Sequence, residues 1–476
     1  MYQSAYQVLM VISPLITSPY LSRVLGAENI GIYSYCHSIA FYFGIFAILG
    51  IGNYGNRAIS RVCRQGRERI SREFCEIYCM QAMASIVVLF AYLVYVISFS
   101  GAYRIIFLFE ILYVLSVGMD ISWLYFGMEK FEITTKLNFS VRVITIISIL
   151  LFVKTVDDLK WYAFIMSGGS FAANLVLWMG IGKCTTIVKI EWRNVIRHFK
   201  PNFILFIPNI SLAVFHYMDK VMVGILSTMD EVGYYANADK VINIPLGLIT
   251  ALGVVMMPRI TKLEEEGNSK AVAAYIENSL IFSSWMGIAM SVGIMAVSSD
   301  FVPVFFGNGF EACVNLLRLF GPAVFIKAWS GAIKNQYIVP SGKDKELNFS
   351  VVGAAAVNLI LNGILIPVMG SMGAVIGTFA AELSLLIFYM ICAKKKINFL
   401  VPLKWTMLFV GIGMVMFLFV IFITSHISSN VVSLLAGVGG GAAVYCGLSV
   451  MIFHIFHWKP FLDMRAQVLS RFRKRS

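Results

Sequence analysis

Two lysines in neighbouring apolar segments have the spacing of an anion-binding site. Lys220 and Lys240 each lie seven residues from the short loop that joins their segments. At 1.5 Å of rise per helical residue, both ammonium groups would lie roughly 10 Å below the same surface. Arg23, near the corresponding end of the first apolar segment, could add a third positive charge. The alternative is that Asp219 and Asp239 neutralise the adjacent lysines and only fix helix packing.

Each of the two lysines belongs to a stripe of polar side chains along one face of its own predicted helix. In the segment that contains Lys220, the stripe falls at i, i+7 and i+11, which is one face of a helix: Asn209, His216 and Lys220. The next segment has a similar stripe: Asn237, Lys240 and Asn243. His37, in the second apolar segment of the chain, could complete the same polar face from the N-terminal half.

A second set of ionisable residues lies deeper in the apolar segments. Lys327 and Lys334 are seven residues apart and predict another cationic stripe. Three acids, Glu110, Asp120 and Glu382, fit two interpretations. Each could bind a proton or a coupling ion, or each could be the buried partner of one of the cations. Ionisable groups inside a membrane are costly, so all of them are candidate functional residues.

The elements that position these residues are apolar helices. The chain of 476 residues is 59% hydrophobic and only 13% charged, whereas a soluble domain has about 25% charged residues. A soluble protein is therefore excluded, and the fold class predicted is an all-α polytopic membrane protein. Fourteen windows are long and apolar enough to span a bilayer: residues 2–25, 29–52, 76–99, 104–127, 139–156, 161–181, 203–227, 234–257, 276–299, 312–338, 348–369, 371–393, 404–424 and 431–456.

The distribution of basic residues predicts the orientation of these spans. The loops on one side contain only Arg104, Lys154 and Lys160. The loops on the other side and the C-terminal tail contain 29 of the 38 basic residues. Because Lys and Arg remain mostly on the cytoplasmic side, both termini are predicted to be cytoplasmic. The first span lacks the basic region and cleavage site of a signal peptide and is expected to be retained.

An internal repeat organises the spans into two halves. At an offset of 202 residues Gly31 matches Gly233, Tyr33 matches Tyr235 and Arg57 matches Arg259. An even number of spans separates the copies, so they predict parallel repeats about an axis along the membrane normal. The predicted domains are a six-helix bundle at 1–182, a basic cytoplasmic linker at 183–200, a second six-helix bundle at 201–398, two extra spans at 399–456 and a basic tail at 457–476.

Enzymatic interpretations lack their usual sequence features. The chain contains no GxxxxGK[ST] loop for ATP and no external loop large enough for a catalytic domain. Its eight cysteines are scattered and indicate packing thiols rather than a disulfide framework or a zinc site. Prolines inside several spans favour broken, cavity-lining helices. Together these features favour a carrier that alternates between two states, with no cofactor or metal and with H⁺ or Na⁺ as the expected coupling ion.

Two segments resemble a known family. The N-terminal YQVLMVISPLITSPYLSRVLGAENIGIYSYCHSIAFYFGIFAILGIGNYGNRAIS and the later MDKVMVGILSTMDEVGYYANADK resemble Wzx-type polysaccharide flippases of the MATE-like superfamily. The resemblance implies transport of undecaprenyl-diphosphate-linked repeat units across the bacterial inner membrane, for O-antigen or capsule synthesis. It also implies a polysaccharide polymerase and a chain-length regulator as partners, and no nucleic acid.

The resemblance gives roles to the candidate residues. Lys220, Lys240 and Arg23 would hold the diphosphate. The polar residues expected to meet sugar hydroxyls are Tyr33, Asn209, Asn237 and Asn243. A coupling site or second cavity would use Asp219, Asp239, His37, His216, Lys327 and Lys334.

Two other functions remain open from the sequence. A cation-coupled multidrug exporter shares the fold, but its cationic cargo would favour an acidic cleft, which the surplus of intramembrane cations argues against. A channel or a non-transporting scaffold of a polysaccharide-assembly complex is the third interpretation.

Overall fold

The protein folds into long α-helices. A computed structural model describes the backbone of residues 2–186, 188–266 and 268–458. Side chains are described from residue 9 onward, except at 10, 11 and 183 and at many positions in 207–216 and 248–269. Within these ranges the helices are α1 (Tyr2–Ile48), α2 (Ile51–Val62), α3 (Arg67–Phe99), α4 (Arg104–Gly118), α5 (Ser122–Gly127), α6 (Phe131–Phe152), α7 (Leu159–Met179), α8 (Trp192–Leu226), α9 (Met229–Glu265), α10 (Ser269–Phe305), α11 (Ala312–Ile333), α12 (Asp344–Met369), α13 (Ser371–Ala393), α14 (Leu400–Thr424) and α15 (Asn430–Ile455).

Each of the fourteen predicted spans falls on helical backbone, although span 104–127 is divided between α4 and α5. The first two lie on either side of Gly26 in α1, where φ is 75°, a backbone conformation that glycine adopts without steric cost. Among the described residues, 11 helical segments are long and apolar enough to cross a membrane, with the first two spans counted as one segment. Predicted spans 7 and 8 coincide with α8 and α9. The all-α polytopic architecture is therefore confirmed.

Contacts divide the chain into two compact units. Unit 1 contains Met1–Ala236 and Asn362–Ala374, and unit 2 contains Asn237–Leu361 and Val375–Ser476. The boundaries fall inside α9, α12 and α13, whereas the sequence placed the division at a linker. The second half of that linker, from Trp192, is helical and continues into predicted span 7. The division into two related six-helix bundles therefore stays a prediction.

Between α4 and α5 the helix is interrupted within one predicted span, and a side chain of unit 1 forms hydrogen bonds with the backbone carbonyls at the break. Gln81 is fully buried, and its amide donates to the carbonyls of Gly118 and Asp120 at 3.1 and 2.8 Å. Its own oxygen accepts from the Trp123 indole at 3.1 Å. Freed backbone groups inside a membrane require such partners. This one side chain therefore permits the turn that carries Trp123 into the core.

Apolar packing differs between the interior and the outer surface of each unit. In unit 1, Phe74 and Trp123 belong to a buried cluster that joins α2, α3 and α5. The outer face of α3 instead exposes Val87 and Phe90, each with 68% of its surface accessible. In unit 2, the two C-terminal helices pack on α10 through a cluster that includes Phe409 and Tyr445. Large exposed apolar side chains on a span are expected to contact lipid.

Candidate substrate and coupling sites

Arg23 lies just before the Gly26 kink of α1. Its side chain is exposed, and the guanidinium donates to the Pro19 carbonyl at 3.4 Å. This carbonyl is one turn earlier on the same helix. The side chain is accessible, and its contact with an anion near the predicted outer surface stays a prediction.

Lys220 lies over an aromatic pair on α8 and α1. It is half-buried, and its ammonium nitrogen lies 5.5 Å from the centroid of the Tyr217 ring. Tyr217 stacks on Phe41 with centroids 3.9 Å apart. A cation over an aromatic face is attracted by the ring quadrupole, more strongly where water is scarce. The stack therefore orients the predicted diphosphate-binding lysine.

Asp219 has hydrogen-bond donors that the sequence analysis did not predict. Its carboxylate is 2% exposed and accepts from the Tyr235 hydroxyl and from the Asn362 amide, the latter at 2.5 Å. Charge-assisted bonds of this kind are short and strong. All three residues belong to unit 1, because the end of α12 packs with the N-terminal helices. The alternative interpretation of Asp219, as a group that neutralises Lys220 and fixes helix packing, did not include these two bonds.

The polar stripe of α9 contains two local hydrogen-bond pairs. Lys240 donates to the Asn237 side-chain oxygen at 3.4 Å, and Asn237 is fully buried. Asn243 is exposed, and its amide donates to the Asp239 carbonyl and carboxylate at 2.9 and 2.8 Å. These four residues lie in unit 2, whereas Arg23 and Lys220 lie in unit 1. The convergence of Arg23, Lys220 and Lys240 on one anion thus stays a prediction.

His37 and Glu110 form a buried pair in unit 1. The His37 Nδ1 atom lies 3.0 Å from Glu110 Oε2. The Glu110 side chain is fully buried, and that of His37 is 27% exposed. Tyr33 stacks on the imidazole at 5.5 Å, and Tyr113 meets it edge-on at 4.8 Å. The structure thus gives Glu110 a histidine partner whose side chain is partly exposed.

Unit 2 contains a different acid–base pair. The Lys327 ammonium lies 3.7 Å from Glu382 Oε1, and both side chains are largely buried. Lys334 is half-buried at the end of α11, where a turn of π-helix begins. Paired charges of this kind need their partner, because an isolated buried charge is strongly unfavourable. This arrangement agrees with the interpretation of Glu382 as the partner of a cation.

Two predicted residues cannot be placed. Asn209 and His216 lie on the helical backbone of α8, but their side chains fall outside the described residues. Their contribution to the stripe that includes Lys220 therefore stays a prediction.

Gly31 and Gly233, which the internal repeat matches, each pack against the other copy of the repeat. A β-carbon at Gly31 would overlap the Met229 carbonyl, and one at Gly233 would overlap the Ala27 carbonyl. Ala27 and Met229 are themselves separated by the repeat offset of 202 residues. The two copies of the repeat thus meet through a reciprocal contact, as expected for an axis passing between them. Only glycine allows two helices to approach so closely.

A polar cluster on the predicted cytoplasmic side was missed by the sequence analysis. His198 of α8 is buried between Tyr54 of α2, whose hydroxyl lies 2.6 Å from Nδ1, and Glu76 of α3, 3.4 Å from Nε2. Asn194 donates to the other oxygen of Glu76 at 3.0 Å, and Arg197 lies 3.6 Å from the same carboxylate. The available signal was the presence of His198 and Asn194 in a linker that was otherwise interpreted only by its charge.

Known proteins resemble this chain in sequence. The family described as polysaccharide biosynthesis protein matches residues 1–264. A protein of Escherichia coli (strain K12) named as an O-antigen transporter is 25% identical over 380 residues, covering 78% of this chain and 89% of that protein.

Two solved structures share the fold at low sequence identity. The lipid II flippase MurJ in its inward closed conformation has a TM-score of 0.73 and 13% identity, covering 96% of this chain and 98% of its own. An inward-facing multidrug resistance MATE family transporter has a TM-score of 0.60 and 11% identity, covering 81% of this chain and 97% of its own.

These relatives confirm the predicted resemblance to Wzx-type, MATE-like proteins, and they are transporters and flippases rather than enzymes. The family match extends over more than half of the 476 residues. This multi-pass membrane chain therefore belongs to the polysaccharide biosynthesis protein family.

Proposed function

We propose that this protein is a flippase for undecaprenyl-diphosphate-linked oligosaccharide repeat units. It would move them from the cytoplasmic to the periplasmic leaflet of the bacterial inner membrane, for O-antigen or capsule synthesis. The observation that carries the proposal is the family match over residues 1–264. The E. coli relative named as an O-antigen transporter supports the class of cargo.

The cargo determines what the transport path must contain. A diphosphate and a sugar chain cannot cross hydrocarbon without polar partners, because unpaired polar groups there are costly. The protein would therefore offer a wet, cationic cleft and leave the polyprenyl tail in lipid. In this proposal Lys220, Lys240 and Arg23 hold the diphosphate. The accessible guanidinium of Arg23 and the half-buried ammonium of Lys220 support that assignment.

The proposed sugar contacts depend on the transport cycle. Asn243 is exposed, whereas Tyr33 and Asn237 are buried in this conformation. Alternating access would have to expose Tyr33 and Asn237 in another state before either could meet a sugar hydroxyl. A cation gradient, of H⁺ or Na⁺, would drive the change. Both termini would be cytoplasmic, with a polymerase and a chain-length regulator as partners on the pathway.

Removal of one cation from the diphosphate site should block transport. A charge-assisted contact contributes about 1.5–3 kcal/mol, so Lys220→Ala or Lys240→Ala should reduce transport roughly tenfold to a hundredfold. The measurement is surface polysaccharide in a deletion strain that carries each variant, together with the amount of the protein in the membrane. Lipid-linked repeat units should accumulate in the same cells.

Charge-preserving variants provide the control. Lys220→Arg and Lys240→Arg retain a cation and should retain part of the polysaccharide, although arginine binds phosphate with a different geometry. Normal polysaccharide in both alanine variants, at normal protein levels, would exclude these lysines as the diphosphate site.

A multidrug exporter is the second candidate, because a multidrug MATE transporter shares the fold. A cationic or amphipathic drug would be repelled by a cleft containing Lys220, Lys240 and Arg23. Expression in a drug-sensitive strain distinguishes the two functions. Increased resistance without any change in surface polysaccharide would favour the exporter.

A further inference from the structure

We propose that His37 and Glu110 form a proton-binding site in unit 1, with His37 as the entry point and Glu110 as the final acceptor. The transport role of this site rests on the proposed flippase function, since the bound proton would supply the coupling ion. Proton binding itself is a property of the paired side chains and can be measured without cargo.

The Glu110 carboxyl group is only half satisfied. Oε2 lies 3.0 Å from His37 Nδ1, but Oε1 is buried and has no hydrogen-bond partner within the described part of the chain. The Tyr33 hydroxyl, on the residue one turn before His37, is buried and likewise without a partner there. A buried carboxylate with one unsatisfied oxygen is unfavourable, and protonation removes its charge. The geometry thus favours a carboxyl group that gains and loses a proton.

Further titratable groups surround the pair. Those that interact with Glu110 or Tyr33 come from α1, α3, α4, α6 and α7: Tyr33, Cys36, Tyr92, Tyr113, Arg142 and Tyr162. The Arg142 side chain is held by Ser13, whose hydroxyl oxygen accepts from Nε at 2.9 Å. Its positive charge acts on the tyrosines of this cluster, Tyr33 and Tyr162.

The exposure difference defines a path for the proton. The His37 side chain is 27% exposed and Glu110 is fully buried, so in this proposal the proton reaches the imidazole first. A hydronium ion donates a proton to Nε2, which forms an N–H bond and leaves a water molecule. The proton on Nδ1 then passes to Glu110 Oε2, which leaves a neutral carboxylic acid and a neutral imidazole of the other tautomer. One proton is bound in total, and stacking on Tyr33 holds the ring in position for the transfer.

A row of aromatic rings connects this site to Lys220. His37 contacts Tyr113, Tyr113 stacks on Phe41 at 6.5 Å, and Phe41 stacks on Tyr217 at 3.9 Å. The Lys220 ammonium lies over Tyr217. A packed row that joins two sites is a physical route by which protonation of one could shift the other.

Infrared difference spectroscopy tests the proton site directly. The full-length protein in lipid nanodiscs is compared at alkaline and acidic pH in H₂O and D₂O, and the carbonyl stretch of a protonated, water-shielded carboxyl group is followed. Glu110→Gln should remove one component of this band, and Glu132→Gln should remove none, because Glu132 is exposed beside Lys136. His37→Gln keeps the carboxyl group but removes the basic partner, so the titration midpoint should move by about one pH unit or more.

The outcomes separate this proposal from the flippase proposal. A band of undiminished intensity in Glu110→Gln, or an unchanged midpoint of the Glu110 component in His37→Gln, would overturn the proton site. If Glu110→Gln fails to fold, as judged by circular dichroism, the titration midpoint of His37→Gln still tests the proton site. Lys220→Ala should lose surface polysaccharide and keep the band. Loss of the Glu110 component in Glu110→Gln, with normal polysaccharide in Lys220→Ala and Lys240→Ala, would uphold proton binding and reject the proposed diphosphate site.

Discussion

At the scale of single residues, buried hydroxyl groups in unit 1 have opposite consequences for stability. The Tyr235 hydroxyl donates to the buried Asp219 carboxylate, whereas the Tyr33 hydroxyl has no partner in the described part of the structure. A hydrogen bond to a charged group contributes about 1.5–3 kcal/mol, and an unsatisfied buried hydroxyl is unfavourable. The same chemical substitution should therefore have different effects at two positions that the internal repeat makes equivalent.

Tyr235→Phe should lower the free energy of unfolding by about 2 kcal/mol, because Asp219 loses a donor. Tyr33→Phe should leave stability unchanged or raise it slightly. Both are checked by SDS titration in mixed micelles, with helical content as the signal. Equal destabilisation by the two substitutions would contradict the assigned hydrogen bonds.

At the scale of elements, the start of α8 is fixed to α2 and α3 rather than acting only as a linker. Glu76 is 2% exposed and is within bonding distance of Asn194, Arg197 and His198. The charge of the region 183–200 predicted its basic character, but not these contacts. His198 and Glu76 are 122 residues apart, and a local pattern contains no information on such a pairing.

Glu76→Ala should release this end of α8. Loss of one partner from a buried charged network costs about 3–5 kcal/mol, so trypsin should cleave within residues 183–200 several-fold faster in the variant. Glu68→Ala on the same helix is the matched control, because the Glu68–Arg72 pair is exposed and contributes little. Equal cleavage of both variants and the unsubstituted protein would show that the cluster does not hold the helix.

At the scale of the whole molecule, hydropathy and charge were sufficient to predict the spans but not the contacts between them. Apolar length located the spans, since a bilayer requires about 20 apolar residues per crossing, but it did not predict α2 or the break between α4 and α5. Lys220 and Lys240 were found because charged residues are conspicuous in apolar segments. Tyr235 and Asn362 were not found as partners of Asp219, because neutral polar residues in spans are common and the bond to Asn362 joins helices 143 residues apart in sequence.

The repeat is the feature that links sequence to overall architecture most directly, and it yields a test. Gly31 and Gly233 meet the opposite copy so closely that even a β-carbon would overlap the Met229 and Ala27 carbonyls. Gly31→Ala and Gly233→Ala should therefore force the helices apart and reduce both stability and surface polysaccharide. Gly168→Ala, a helical position with no atom near the added carbon, should be neutral or stabilising by up to about 1 kcal/mol. Wild-type behaviour of Gly31→Ala and Gly233→Ala would mean that the two copies of the repeat do not cross through these glycines.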